Sequence, residues 1–444
     1  MPTLFIIIPF IGIVLLNILY STKVKQIAFH ISCAIAIIQI ILSSAILFEI
    51  SKSLLSRIEI NYFVNFSIDF YGALVLFTIG LISLIALLVR KYSSSEEFFN
   101  FSQLILIIII GMNGTVMVTD IFSLYVFLEV TGVTSFILTG IGILYMTFGS
   151  LSYNTLSLSL ANMSTVPPQL LITFILLIAG FSIKSGMVPF HMWVPDAYTN
   201  AGPAVSVLLA GIVTKAGGIY AMIRLLHDVF INIAIIQEVL AFLAIITIVS
   251  GALLAIGQSD FKKILAYSSI SQIGYIIIGA ACGTPLGFIG AFMHFFNHAT
   301  FKSLLFVNSA AVEMQTGTRD INKLQGLATK MKITGGTSVV GFLSAAGIPP
   351  LAGFWSKLVV IVALWQVGFR AYAIIALLAS ILTLAYFLIL QRKVFFGKTS
   401  PELENIKEAN AGISISAILL ALIIILMGVG FPVVLYFFKL KGLF

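Results

Sequence analysis

Apolar stretches long enough to cross a bilayer recur along almost the whole chain, and nothing else restricts its possible folds so severely. They run over about 3–20, 27–50, 69–90, 101–119, 121–146, 169–188, 203–225, 231–257, 264–282, 285–311, 333–364, 371–391 and 411–438, against a hydrocarbon core roughly 30 Å thick. Inside that layer every backbone N–H and C=O must be satisfied by protein, so only helices or a closed barrel can span it. Runs this continuous lack the alternation of barrel strands. The expected class is all-α, a polytopic integral membrane protein of about 13–14 transmembrane helices. The gaps between runs are too short for a soluble domain.

Composition points the same way. Of 444 residues, 60% are hydrophobic and 9% charged, where a soluble chain would carry about a quarter charged. The net charge of +8 comes mostly from bases in the short gaps, the pattern of topology determinants and not of a nucleic-acid surface. The bilayer is therefore the expected surrounding, and no nucleic acid partner is expected. Cys33 and Cys282 lie in apolar runs without ligand-like spacing, so neither a disulfide nor a metal site is anticipated. The first twenty residues have no basic n-region and no small-residue cleavage site, and read as a retained helix.

Orientation follows from the bases. Lys23 and Lys25, Arg90 and Lys91, Lys262 and Lys263, the stretch 319–332 and the stretch 392–398 mark cytoplasmic loops, while 118–120 and 283–284 carry no Lys or Arg and read as outside. An even number of crossings must then separate Arg90–Lys91 from Lys262–Lys263. The runs in between are 101–119, 121–146, 169–188, 203–225 and 231–257, one too many for that parity, and 147–168 is too polar to add another. Either one of these segments is re-entrant or a helix has been lost.

Several ionisable residues lie within the apolar runs: Glu129, Lys184, Lys215, His294, His298, Lys302 and Lys357. Each has an ordinary reading. A lysine near a helix end snorkels to the interface, which fits Lys184 and Lys357 better than the mid-run Lys215. Glu129 has no long stem, and its bland role is a protonated, hydrogen-bonded acid. A lone histidine is usually a satisfied core residue. Yet His294, His298 and Lys302 recur at intervals of four and share one helix face. Intramembrane ionisable groups mark ion pathways by default. Burial disfavours a lysine's charge and a nearby carboxylate restores it, so a Glu–Lys pair can act as a proton switch, with histidines passing the proton on.

Prolines stand beside two of these lysines. Pro189 follows Lys184, and Pro349 with Pro350 precedes Lys357. Helices broken at corresponding places in two halves point to an ion site between repeats. There is no P-loop, no haem or iron–sulfur ligand set and no dinucleotide fingerprint, so no cofactor and no redox centre are expected in this chain.

The stretches KSGMVPFHMWVPDAYTNAGPAVSVLLAGIVTKAGGIY, QSDFKKILAYSSISQIGYI, HATFKSLLF and GIPPLAGFWSK resemble the antiporter-like subunits shared by respiratory complex I, membrane-bound hydrogenases and Mrp-type cation/proton antiporters, over about 100–394. The resemblance implies two inverted five-helix repeats with two broken helices. It implies that Glu129 is the glutamate pairing with Lys184 on the first broken helix and that Lys215 follows on the next. It implies that His294, His298 and Lys302 form a central polar axis and that Lys357 lies on the second broken helix at the outward path. The corresponding organisation is N-terminal helices over 1–98, a first repeat over 99–228, a second over 229–398 and a C-terminal helix over 399–444. Relatives usually place some twenty-five more residues between the FLE motif and the TSFILTGIGILYMTFGSLSY segment, so the first repeat is shortened near 129–150.

The function this implies is proton or sodium translocation by one subunit of a multisubunit assembly in the cell (inner, cytoplasmic) membrane. Its partners would be other membrane subunits, including related antiporter-like ones, within a translocating oxidoreductase or an Mrp-type antiporter. Two rivals remain: a non-translocating structural subunit of a redox complex, and a stand-alone secondary transporter for a small carboxylate.

Overall fold

The computed structural model describes residues 2–18, 22–50, 58–61, 65–90, 95–131, 135–163, 167–230 and 233–433. It is all-α in class, with 81% of the described residues helical. The two-stranded antiparallel hairpin of β1 (Ile58–Asn61) and β2 (Asn65–Ile68) is the sole sheet among the described residues. Eight of the described helices are long and apolar enough to cross a membrane, and four shorter apolar helices accompany them. The chain is a multi-pass membrane protein. It divides into two compact units, one of Met1–Ser185 with Ile212–Gln237 and one of Gly186–Gly211 with Glu238–Phe444.

The first unit opens with α1 (Leu4–Ile18), α2 (Thr22–Ile50), α3 (Phe70–Arg90) and α4 (Ser95–Met117). A buried amide pair binds them together. Gln39 Nε2 donates to Asn113 Oδ1 at 2.9 Å and to Leu76 O at 3.0 Å, while Asn113 Nδ2 donates to Phe5 O at 2.8 Å. Between apolar helices that gain little from burying more hydrocarbon, such bonds supply the adhesion.

The parity problem is resolved in the next segment. The run 121–146, which looks like a single crossing, is two short helices, α5 (Ile121–Thr131) and α6 (Ser135–Phe148). Its two ends meet. Ile121 N–H donates to Leu151 O at 3.1 Å, Tyr153 N–H donates to Thr119 O at 3.3 Å, and Asp120 bridges Ser152. At 1.5 Å per residue the arms reach about 16 and 21 Å, short of a full span. The segment therefore goes in and comes back. With this hairpin contributing no crossing, the four remaining runs restore the even number that the charge placement requires. The side chains of Lys23, Lys25 and Arg90, and the whole of Lys91, lie outside the described residues.

After α7 (Tyr153–Ala161), α8 (Pro168–Ser185) stops at Gly186, whose φ of +75° favours a residue without a Cβ. The second unit begins there with α9 (Trp193–Asn200). The span Pro203–Asp228 is continuous but irregular: α10 (Pro203–Leu208), π-helical turns over Leu209–Val213 and Lys215–Tyr220, then α11 (Ala221–Asp228). The chain continues through α12 (Ala234–Ile256), α13 (Phe261–Ala281), α14 (Pro285–Thr316) and α15 (Lys332–Ala346). A second break at Gly347, with φ of +85°, precedes α16 (Ala352–Gln366), α17 (Arg370–Val394) and α18 (Ala411–Val429). Both breaks have a glycine three residues ahead of a proline, Gly186 to Pro189 and Gly347 to Pro350. The glycine ends the helix, and the proline, lacking an N–H, stops it from resuming.

Helix α14 is the centre of the second unit and is buried along nearly all its length. At 32 residues it is the longest of the described helices, yet its polar residues keep it out of the apolar set. Three basic loops of this unit are joined by backbone hydrogen bonds. Phe261 N–H donates to Arg319 O at 2.9 Å, Gly326 N–H to Phe396 O at 3.1 Å and Ala328 N–H to Phe395 O at 3.0 Å. Loops assigned to one side by their charge are thus in contact in the fold.

The hairpin assignment is open to a direct measurement. In a chain with Cys33 and Cys282 replaced, Thr119→Cys and Asn154→Cys should both react with an impermeant thiol reagent from the same face of the membrane. Labelling from opposite faces would mean that 121–148 crosses.

Candidate functional site

Two of the ionisable residues whose side chains are described belong to the first unit. Lys184 sits in the last turn of α8, half-buried, and its ammonium donates to Leu128 O at 2.8 Å. Leu128 lies in the final turn of α5, where backbone carbonyls have lost their helical partners. Glu129 follows it on the same helix, but its side chain lies outside the described residues. Lys215 is completely buried and opens the second π-helical stretch. Such wide turns cluster at functional sites because they free backbone groups. Gly218 lets this stretch pack closely. A Cβ there would come within 2.7 Å of Ser185 N, at the end of α8.

The second unit holds a continuous buried cluster. The Lys302 ammonium donates to Leu265 O at 3.0 Å and to the Ser268 hydroxyl, and lies 5.4 Å from the centroid of the Phe387 ring. One turn along α14, His298 stacks on His294 with ring centroids 6.3 Å apart and planes 12° from parallel. His294 is held on both sides: Nδ1 is 2.9 Å from Ser356 Oγ and Nε2 is 3.1 Å from Gln272 Oε1. The next residue after Ser356 is Lys357. Its ammonium donates to Ala345 O at 2.9 Å, Ala346 O at 3.4 Å and Ser380 Oγ at 3.2 Å. It also lies 4.8 Å from the Tyr275 ring, which is itself 5.6 Å from that of His294.

This arrangement can do more than hold charges. With Gln272 Oε1 facing it, His294 Nε2 is the donor of that contact, and a turn of the amide would present its own Nε2–H to a bare ring nitrogen instead. The Ser356 hydroxyl can donate to a bare Nδ1. When Nδ1 carries a proton, that hydroxyl can turn to Gly353 O, 3.2 Å away, and accept from the ring. Both protonation states are hydrogen-bonded without moving the backbone, as a group that passes protons requires. The three hydrogen-bond acceptors around Lys357 are neutral, so its charge is offset by dipoles and a ring face.

Of the helix-breaking prolines, Pro189, Pro349 and Pro350 all fall in the segments following Gly186 and Gly347. Gly347 gives Lys357 its room, since a Cβ there would stand 3.1 Å from the lysine Cδ. Among the described residues, no group of three or more His, Cys, Asp or Glu side chains could hold a metal ion.

Reading the sequence missed a second ionic cluster in the first unit. Arg224 is 8% exposed and pairs with Asp69 and, at 2.9 Å, with Asp228, which also meets His227 Nδ1 at 2.7 Å. Asp69 Oδ1 in turn accepts from Gly72 N–H at 2.7 Å. A cavity of about 620 Å³ opens beside this cluster, lined among others by Glu59, Ser67, Thr119, Ser152 and Tyr153. The i,i+4 spacing of Arg224 and Asp228 was a signal in the sequence. Asp69, 155 residues from Arg224, gave none. Gln272, Tyr275 and Ser356 were also missed, being uncharged residues inside apolar runs.

Residues 98–383 match the NADH:quinone oxidoreductase/Mrp antiporter transmembrane family, and the chain belongs to it. NADH-quinone oxidoreductase subunit N of Desulforudis audaxviator is 32% identical over 318 residues, covering 65% of this chain and 63% of that protein. A Na(+)/H(+) antiporter subunit of Alkalihalophilus pseudofirmus is 32% identical over 426 residues, covering 82% of this chain and 52% of that protein. The chain thus spans from about half to somewhat under two thirds of the length of these relatives. The fold matches a chain in the structure of the Mrp complex from Dietzia sp. DQ12-45-1b with a TM-score of 0.89 at 22% identity, over 98% of this chain and 96% of that one.

The Asp69–Arg224–Asp228 cluster yields a stability prediction. Removing the cation leaves two buried carboxylates uncompensated, so Arg224→Ala should cost about 3–5 kcal/mol. Asp69→Asn, which leaves Arg224 its pairing with Asp228, should cost less. Thermal unfolding of the detergent-purified variants would check the order, and equal losses would show that the pairings are not shared.

Proposed function

We propose that this chain is an ion-translocating, antiporter-like subunit of a multisubunit assembly, carrying protons or sodium across the cytoplasmic membrane. The observation that supports it best is the buried line Lys302, His298, His294 and Lys357. Consecutive members lie a helical turn apart or, for His294 and Lys357, share the Tyr275 ring. Burying four titratable groups together is expensive, and packing gains nothing from it. The relatives are subunits of a quinone-reducing oxidoreductase and of a Na(+)/H(+) antiporter, so the partners are other membrane subunits, related antiporter-like chains among them. The two matching breaks support a first repeat over 99–228 and a second over 229–398.

In this scheme Lys302 delivers a proton to the histidine stack. His294 takes it at Nδ1 as the Ser356 hydroxyl turns to Gly353 O, and Lys357 passes it outward from the broken helix. Lys215 supplies the line from the first repeat. Glu129 with Lys184 sets the charge state that couples this chain to a neighbour. The half-depth α5–α6 hairpin favours one alternative, a membrane subunit that anchors a redox module without moving ions, since it shortens the helix that carries Glu129.

Translocation in vesicles containing the assembled complex separates the two. Lys357→Ala should leave assembly intact and lower ion uptake by more than about tenfold. Uptake at the unmodified rate would favour the anchoring role. Ser356→Ala, which removes the reversible hydroxyl, should slow uptake by about tenfold, and Ser356→Thr should restore most of it.

A further inference from the structure

The buried line of the second unit is not level across the bundle. Lys302 is held by Leu265 and Ser268, about 6–10 Å along α13 from its start at Phe261, counting 1.5 Å per residue. Phe387, against which it packs, is about 10 Å from the end of α17 at Val394. Lys357 is held by Ser380 and Tyr275, both about 21 Å from those same helix ends. Those ends are where the basic loops around Lys262, 319–332 and 392–398 join. Lys302 is therefore the shallow ammonium of this unit, and Lys357 lies about 10 Å deeper.

Two polar side chains on α17 lie at the shallow end. Gln391 is 5% exposed, and neither its amide nitrogen nor its oxygen has a hydrogen-bond partner in the protein. It sits one turn beyond Phe387, directly before Arg392 and Lys393. Tyr386 is 3% exposed. Its hydroxyl lies near those of Ser268 and Thr383 without a hydrogen bond of ordinary geometry to either. Buried amides and hydroxyls are almost always bonded, and leaving one dry is costly. The Tyr386 hydroxyl has two hydroxyls in reach, but for the Gln391 amide, which the protein gives no partner, the group that satisfies such atoms is water. Ser268, beside Tyr386, is also the hydroxyl that holds Lys302.

We propose that the Tyr386–Gln391 face of α17 carries a short hydrated inlet through which Lys302 exchanges protons directly with the side bearing the basic loops. The inlet rests on the translocation reading above and gives the second unit its own supply, independent of Lys215. Reprotonation forms one N–H bond at Lys302 and breaks one O–H bond of a hydronium drawn from bulk water. Gln391 does not titrate. It is a positioning residue whose amide both donates to and accepts from the water file.

The test uses the full chain in its assembled complex in vesicles, with Cys33→Ser and Cys282→Ala as background. A small impermeant methanethiosulfonate should modify Gln391→Cys from the basic-loop side and not from the other. Gln391→Leu and Tyr386→Phe should each slow ion uptake by about tenfold, while Gln391→Asn stays within about twofold of the parent. Wild-type rates in Gln391→Leu, or no modification of Gln391→Cys in a complex that translocates, would overturn the inlet alone. Modification of Gln391→Cys in a complex that moves no ions would leave the inlet standing and overturn the translocation reading.

Discussion

A helix that stops inside a bilayer leaves its last carbonyls without partners, and hydrocarbon offers none. Much of this structure follows from how that demand is met. Where α15 ends at Ala346, the ammonium of Lys357, carried by the next helix, bonds the carbonyls of Ala345 and Ala346. Where α5 nears its end, Lys184 bonds Leu128 O. In each case a flexible cation closes a helix C-terminus, where the helix dipole favours positive charge. At the second break, the end of α15 and Lys357 are thus one device, while Lys184 caps a different helix from the one that breaks beside it. Without Lys357 the Ala345 carbonyl would lose this bond and Ala346 O would keep that from Ser380 Oγ, and without the second break the ammonium would not meet those carbonyls.

Lys357 is held by carbonyls, a hydroxyl and a ring, none of which fixes its charge as a carboxylate would. His294 is held between the Gln272 amide and the Ser356 hydroxyl, each able to donate or accept. A site built for stability alone would be expected to pair such charges firmly, as Arg224 is paired with Asp69 and Asp228. The first unit therefore contains an ionic cluster paired by carboxylates, and the second a buried line hydrogen-bonded to neutral groups.

How much of this could be read beforehand depended on the range of the interaction. The membrane class, the two breaks and the shared face of His294, His298 and Lys302 rest on local spacing, and each was legible. Basic loops that now touch were assigned to one side from composition alone. The π-helical turns around Lys215 were not legible, because Gly217 and Gly218 are as compatible with an ordinary helix. The pairing of His294 with Gln272 and Ser356, and of Asp69 with Arg224, joins residues from 22 to 155 positions apart. No periodicity encodes such contacts. The run 121–146 misled for a simpler reason: its composition is that of one crossing, and only the bonding of residues 119–121 to 151–153 reveals two arms.

That hairpin carries a lesson about lineage. A pair of arms that begins and ends on one face can be trimmed or extended at its tip without inverting anything downstream, whether the arms traverse the whole lipid layer or only half of it. Because residues 119–121 and 151–153 are bonded together, a change of length between them leaves every later loop on its original side. Loss of a lone spanning helix would have turned the entire remainder of the protein inside out.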